Sequence, residues 1–303
     1  MKNRFKKECS PAAKALTAWG IKYYKQPDGS LLVSGDLNIS SRDLTRLPDL
    51  SSVAVTGSFR CSSNRLTSLE GAPKIVGGDF FCRGNQLTSL EGAPQTVGGD
   101  FCCSGNQLTS LEGAPQTVGG IFTCDGNQLT SLKGAPQTVG GNFSCQDNRL
   151  TTLEGAPQIV GGSFFCAFNR LTSLEHISQT VGHAIYCQYN LLTSLEHAPQ
   201  AVNGDFHCHG NRLTSLEHAP QTVSGGFHCR DNQLTSLEHA PSAFKELESD
   251  FGDFSSWTEV PEELRISPAT RARLQQEREK AFTEGATVLQ APVKVRAPLT
   301  LRL

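Results

Sequence analysis

The sequence predicts a β-rich solenoid, a stack of short layers that grows in one direction and is closed by short helical caps at both ends. Two observations carry the prediction. Cys61, Cys82, Cys103, Cys124, Cys145, Cys166, Cys187, Cys208 and Cys229 stand 21 residues apart, and cysteines at a strict interval mark a recurring structural slot, not an irregular disulfide framework. Aligned on that interval, the chain repeats Gly-x-Phe-x-Cys-x-x-Asn-x-Leu-Thr-Ser-Leu-Glu-Gly-Ala-Pro-x-x-Val-Gly, nearly unaltered over 78–98 and 99–119. Such repeats add length without enlarging a core, so 303 residues do not imply two globular domains.

Taken in order, residues 1–34 form an N-terminal helix and hairpin cap. The start, Met1-Lys-Asn-Arg-Phe-Lys-Lys-Glu-Cys, has the charge of a signal-peptide n-region, but Lys14 interrupts the apolar stretch behind it, so no cleaved leader is expected. Residues 11–25 suit a short helix, and Gln26-Pro-Asp-Gly-Ser is a turn into Leu31-Leu-Val. The solenoid then covers 35–245 in ten repeats, the first degenerate, with Leu37 and Ile39 in the Phe and Cys slots and Leu44 and Leu47 in the two Leu slots. A second cap occupies 246–266. Within 267–303, Ser267-Pro-Ala-Thr opens a polar helix of about 16 residues with serine as its cap. Gly285 ends that helix, and a basic extended tail with Lys294, Arg296 and Arg302 follows.

One repeat cannot bury its apolar side alone; stacking does so. Phe80 and Cys82, two residues apart on a strand, point to the same, inner side. Leu87, Leu90, Ala93 and Val97 complete the inward ring. The asparagine column from Asn64 to Asn232 sits where the chain leaves the strand, where a side-chain amide can satisfy the backbone groups that turning exposes.

The segment Phe-x-Cys-x-x-Asn-x-Leu resembles the Leu-x-Leu-x-x-Asn-x-Leu core of the leucine-rich-repeat family, and the Leu-Thr-Ser-Leu that follows resembles the short repeats of bacterial secreted effectors. Those repeats continue with Leu-Pro where this chain has Leu-Glu-Gly-Ala-Pro. The resemblance covers about two thirds of the chain. It implies a concave parallel β-sheet with one short strand per layer, about ten strands in all, over roughly 50 Å at 4.8 Å per strand. The ubiquitin-ligase domain that such effectors often add does not fit in the remaining residues, and that activity is not carried over.

With 27 lysines and arginines against 29 acidic residues, the net charge of −2 gives no bulk attraction to nucleic acid or anionic membrane. No window is apolar enough for a membrane span. Reduced cysteines in a packed ladder imply a cytoplasmic setting, with export to a host cell without a cleaved signal as the other option. Of the two cysteines outside the ladder, Cys9 and Cys102, neither has a histidine base in its own or a neighbouring repeat. All eight histidines lie between 176 and 239. His176, His197, His218 and His239 replace the glycine of the Glu-Gly-Ala-Pro turn and should run down one flank, each beside a glutamate. A solvated ladder accounts for them; a divalent-metal or acidic-partner site is the other reading. The recurrent glutamates from Glu70 to Glu238, reversed at Lys133, read as a solvated edge.

The outward strand slots are where function should be written. Down the stack the residue between Phe and Cys reads Arg60, Phe81, Cys102, Thr123, Ser144, Phe165, Tyr186, His207 and His228. With the positions after the cysteine, Phe165, Phe168, Tyr186, Tyr189, His207, His209 and His228 form one aromatic and imidazole patch over four layers, with Arg230 beside it. Exposed patches of this kind mark binding sites, although stacking of the rings on one another as a cross-strand ladder would also account for them. The expectation is a protein-binding module of a bacterium or its phage, an effector or inhibitor that holds another protein on its concave face. No catalytic residue, metal ligand or cofactor is assigned. The alternative is a metal-dependent or enzymatic role for the histidine-rich C-terminal repeats, but no nucleophile, base and orienting group converge in one layer. Nucleic-acid binding is disfavoured by the scarcity of basic residues among the aromatics.

Overall fold

The computed structural model describes residues 10–283, a coil in which each turn contributes one strand to a front sheet and one to a back sheet. The front sheet has twelve strands, from Leu37–Asn38 through the Phe-x pairs (Phe80–Phe81, Phe101–Cys102, Phe122–Thr123 and so on) to Gly226–His228, Glu246–Ser249 and Gly252–Phe254. Its repeat strands are all parallel and in register, so that Phe80 faces Phe101, Phe122 faces Phe143 and Phe164 faces Ile185. Like residue therefore meets like residue in the next layer. The phenylalanines stack in a continuous internal column, with rings 5.2 to 5.6 Å apart from Phe80 to Phe164.

The second sheet is an addition to what the sequence indicated. Pairs such as Thr96–Val97 and Thr117–Val118 align in parallel, valine inward and threonine outward, into a nine-stranded sheet that also contains Tyr24–Lys25, Leu31–Val33 and Val53–Val55. Alternation over only two residues is too short to register as a strand in sequence. This sheet stops at Thr180–Val181, and Ala201–Val202 pairs separately with Thr222–Val223. The glycine column explains the break: a Cβ at Gly182 would overlap the Gly161 carbonyl, and Asn203 brings a Cβ into that column one layer later. The back strands part there, while the front strands of the same layers stay paired.

Between the sheets, every asparagine of the column serves two layers. Asn85 Oδ1 accepts the Leu66 amide at 3.0 Å, and its Nδ2 donates to the carbonyls of Cys61 and Cys82 at 3.1 and 3.0 Å. The same bonds recur at Asn106, Asn127 and on to Asn232. The ladder thiols are fully buried, and several donate to the carbonyl one layer on, as Cys124 does to Ser144 at 3.3 Å. Burial pushes the thiols of Cys61 and Cys187 up to about 12 and those of Cys103 and Cys145 well above the ordinary value. A thiolate, the reactive form, is thereby suppressed. In the folded protein a thiol reagent is expected to modify half-exposed Cys102 while the nine ladder cysteines stay protected. In denaturant without reductant all eleven thiols should react. Rapid labelling of the ladder in the native state would show that the slots are open, and a shortfall of several thiols after unfolding would show disulfides.

At the N-terminus, Ser10 caps the helix Pro11–Ala18, which buries Ala12, Ala13 and Leu16 on the first layer. Trp19 caps its end and Gly20 takes a left-handed φ of 71°, so the helix is shorter than residues 11–25. At the other end Glu246–Ser249 adds one more parallel strand, and Gly252–Phe254 turns back on it to close the edge. Trp257 Nε1 donates to the Pro241 carbonyl at 2.8 Å, which ties this cap to the last repeat. The helix Pro268–Thr283 starts at Ser267, whose Oγ accepts the Thr270 amide, while both Ser267 and Thr270 bond to Glu238. Cys9, Gly285 and the basic tail fall outside the described residues. Among the described residues no helix is long and apolar enough to cross a membrane.

Candidate functional site

On the front sheet the outward slots do change character along the stack. At one end Arg60 pairs with Asp36 at 3.0 Å and lies over the Phe81 ring. In the middle, small polar groups bond to each other: Ser144 Oγ donates to Asp125 at 2.7 Å, and burial raises the Asp125 carboxyl above its ordinary range. From Phe165 onward the column becomes aromatic. Phe165 stacks on Tyr186 at 4.5 Å, Tyr186 on His207 at 4.6 Å, and His207 on His228 at 4.0 Å, all within 15° of parallel. In-register pairing dictates this, because side chains directly opposite on adjacent strands are held about 5 Å apart. The rings face outward and are half-buried by one another, as the cross-strand ladder that the sequence also allowed would have them. At the position after the cysteine, Ala167 is instead wholly buried.

Burial, and secondarily the proximity of His228 and His209, pushes the His207 imidazole down to about 4. His207 is therefore neutral at pH 7 and extends the aromatic column as an uncharged ring. Burial lowers His209 as well, and its ring meets Tyr189 edge-on at 5.1 Å.

A second pair, Phe168 and Tyr189, lies beside the column, stacked at 4.7 Å. Both are among the most exposed large side chains, at 52% and 45%. Their slot also requires a left-handed backbone. Gly84, Gly105, Gly126 and Gly210 occupy it at φ near 62°, and Ser63, Asp147 and Asp231 at 51° to 55°, whereas the bulky Phe168 and Tyr189 take it at 56° and 54°. A bulky residue in that region costs roughly 1–2 kcal/mol relative to glycine. The fold gains no core packing from these two rings to offset that strain. Gln188, next to Tyr189 in the chain, has the one buried side-chain nitrogen or oxygen without a hydrogen-bond partner among the described residues, its Oε1.

The predicted residues Phe165, Phe168, Tyr186, Tyr189, His207, His209 and His228 thus lie together, linked through ring contacts. Arg230 is drawn away into the cap, paired with Asp253 and 3.8 Å from Glu248. Sequence reading missed the cap's own share of the site. His228 Nδ1 lies 3.1 Å from Glu248 Oε2 and its Nε2 3.8 Å from Glu246 Oε1. The signal was hidden because Phe227 pairs with Leu247, 20 residues on, one short of the repeat interval. The flank histidines occupy the glycine slot of their turn at φ of 65° to 70°, exposed, with His176, His218 and His239 each 3.7 to 3.9 Å from the preceding glutamate.

The in-register phenylalanine, cysteine, leucine and asparagine columns define a leucine-rich-repeat solenoid with a short, 21-residue repeat. The fold is similar to that of YopM, a leucine-rich effector protein from Yersinia pestis, at 23% identity and a TM-score of 0.55 over 71% of this chain and 60% of that one. YopM from Yersinia enterocolitica WA-314 aligns over 69% of this chain and 55% of that one at 18% identity and a TM-score of 0.46. A Shigella effector leucine-rich-repeat domain aligns at 16% identity and a TM-score of 0.30, over 66% of this chain and 70% of that domain. The chain thus spans less than two thirds of the length of either YopM. No protein-family model matches it, and no curated protein matches it in sequence.

Proposed function

We propose that the protein is a binding module that seats another protein against the aromatic patch of the front sheet, in the manner of a bacterial effector or inhibitor, without catalysing a reaction itself. The observation that carries this reading is the pair Phe168 and Tyr189, exposed and held in a left-handed slot that glycine, aspartate or serine fills in the other layers. Aromatic side chains beside polar rim groups are the usual anchors of protein interfaces. The stacked column supplies a rigid floor, so a partner would meet rings that lose little freedom on binding. The protected thiol ladder suits a reducing compartment, whether that of the producing cell or of a host that receives the protein.

The double variant Phe165→Ser, Tyr186→Ser tests this. Its circular dichroism spectrum should match that of the parent. Its affinity for a partner co-purified from the native host should fall roughly tenfold to a thousandfold, or about 1.4 to 4 kcal/mol. Unchanged affinity would place the interface elsewhere.

A further inference from the structure

The cap strand Glu246–Ser249 does more than close the stack. Its two outward glutamates flank the buried Leu247, and parallel pairing sets Glu248 directly opposite His228 and Glu246 opposite Gly226. An imidazole nitrogen of His228 and one oxygen from each carboxylate lie within 4.8 Å of one another, the one such grouping of three among the described residues. We propose that His228, Glu246 and Glu248 form a binding site for a first-row transition dication of the zinc class, at the end of the aromatic column.

Three features support a cation here rather than an ion triad complete in itself. First, acidic groups outnumber permanent cations. Asp250 and Asp253 join Glu246 and Glu248 on this edge, against Lys245 and an Arg230 that is engaged by Asp253 and also lies near Glu248. Second, the site has a glycine floor. A Cβ at Gly226 would overlap both His228 Nε2 and Glu246 Oε1. A residue with a Cβ fills the equivalent slot in the other repeats, among them Asp79, Ile121, Asn142, Ala184 and Asp205. Glycine at this layer alone lets the imidazole and the carboxylate converge. Third, the donor chemistry selects the ion. One imidazole with two carboxylates suits zinc, cobalt or manganese, whereas calcium and magnesium prefer all-oxygen sets. Glu246 and Glu248 lie against different nitrogens of the ring, so to hold one ion at bonds of about 2.0–2.2 Å one carboxylate swings round on its flexible side chain to the nitrogen that binds, with water completing the shell. His207, stacked behind His228 at 4.0 Å, keeps the ligand ring in plane.

The test uses untagged full-length protein freed of metal by dialysis against chelator, titrated calorimetrically with Zn2+ and, for its visible absorption, with Co2+. One equivalent should bind, Co2+ should give d–d bands, and Zn2+ should raise the thermal midpoint. His228→Ala and Glu248→Gln should each weaken binding at least about tenfold, the lower end of what loss of a supporting group costs at metal sites. Glu246→Gln, at a well-exposed position that the fold does not need, should do the same with an unchanged unfolding curve in the absence of metal. Replacing His176, His197, His218 and His239 with glycine should leave the stoichiometry at one. Absence of Zn2+ binding, or binding that survives both His228→Ala and Glu246→Gln, would overturn the proposal. Neither result bears on whether a protein docks at Phe165 and Tyr186.

Discussion

Serine at Phe164 is expected to destroy or split the solenoid, whereas serine at Phe165, the next residue, should leave it folded. Phe164 is wholly buried and packs on Phe143 with ring centroids 5.2 Å apart, one link in the internal column. Removing such a ring costs about 3–5 kcal/mol through lost transfer energy and an unfilled cavity. The serine hydroxyl, left without a partner in an apolar layer, adds about 1–3 kcal/mol. That sum rivals the whole stability of an ordinary domain, about 5–15 kcal/mol. Phe165 points the other way and loses a stacking contact with Tyr186, which is worth about 0.2–1 kcal/mol in a cross-strand pair. Urea titrations followed by circular dichroism should separate the two variants widely. Coincident midpoints would mean that the strand faces are assigned wrongly.

Asn127→Ala should be nearly as damaging, although it removes only a small polar group. Asn127 accepts the Leu108 amide at 3.0 Å and donates to the carbonyls of Cys103 and Cys124 at 3.2 and 2.9 Å. Each of the two carbonyls keeps a second side-chain amide, Asn106 at Cys103 and Asn148 at Cys124, but the Leu108 amide is orphaned where water cannot reach it. An unpaired buried donor costs about 1–3 kcal/mol, and the cavity adds to it. The lesion lies mid-array, where each layer depends on its neighbours. Unfolding should therefore lose its single transition and resolve into separate steps for the segments on either side. Hydrogen exchange would show this as protection retained in outer layers while the Leu108 and Asn127 layers open. A single cooperative transition at the parent's midpoint would refute this account of the asparagine column.

The fold was legible in the sequence because its two periods coincide: the spacing of Phe and Cys gives the strand, and the recurrence of cysteine every 21 residues gives the layer. The inward ring of Phe80, Cys82, Leu87, Leu90, Ala93 and Val97 is buried throughout. What escaped was whatever had no period to betray it. The back sheet rests on two-residue strands, below the length at which alternation can be seen. The convergence of Glu246 and Glu248 on His228 depends on a step one residue shorter than the repeat, which breaks the alignment where the chemistry changes. The aromatic patch was visible as a set of residues but not as stacked rings. Which slots point outward follows from alternation, while how far neighbours cover one another depends on the register between strands.

That register carries a genetic consequence. Phe101 meets Phe122 as Phe122 meets Phe143, so the surface one layer offers is the surface the next requires. A duplication or loss of one whole repeat by unequal recombination between the near-identical units of 78–140 would regenerate the phenylalanine, cysteine, leucine and asparagine contacts at the new junction. Both caps and the aromatic patch would be preserved. Only the distance between the Arg60 end and the patch would change, by about 4.8 Å per repeat. The array is in this sense a ruler, whose length selection can adjust in fixed increments without redesigning either the ends or the surface they frame.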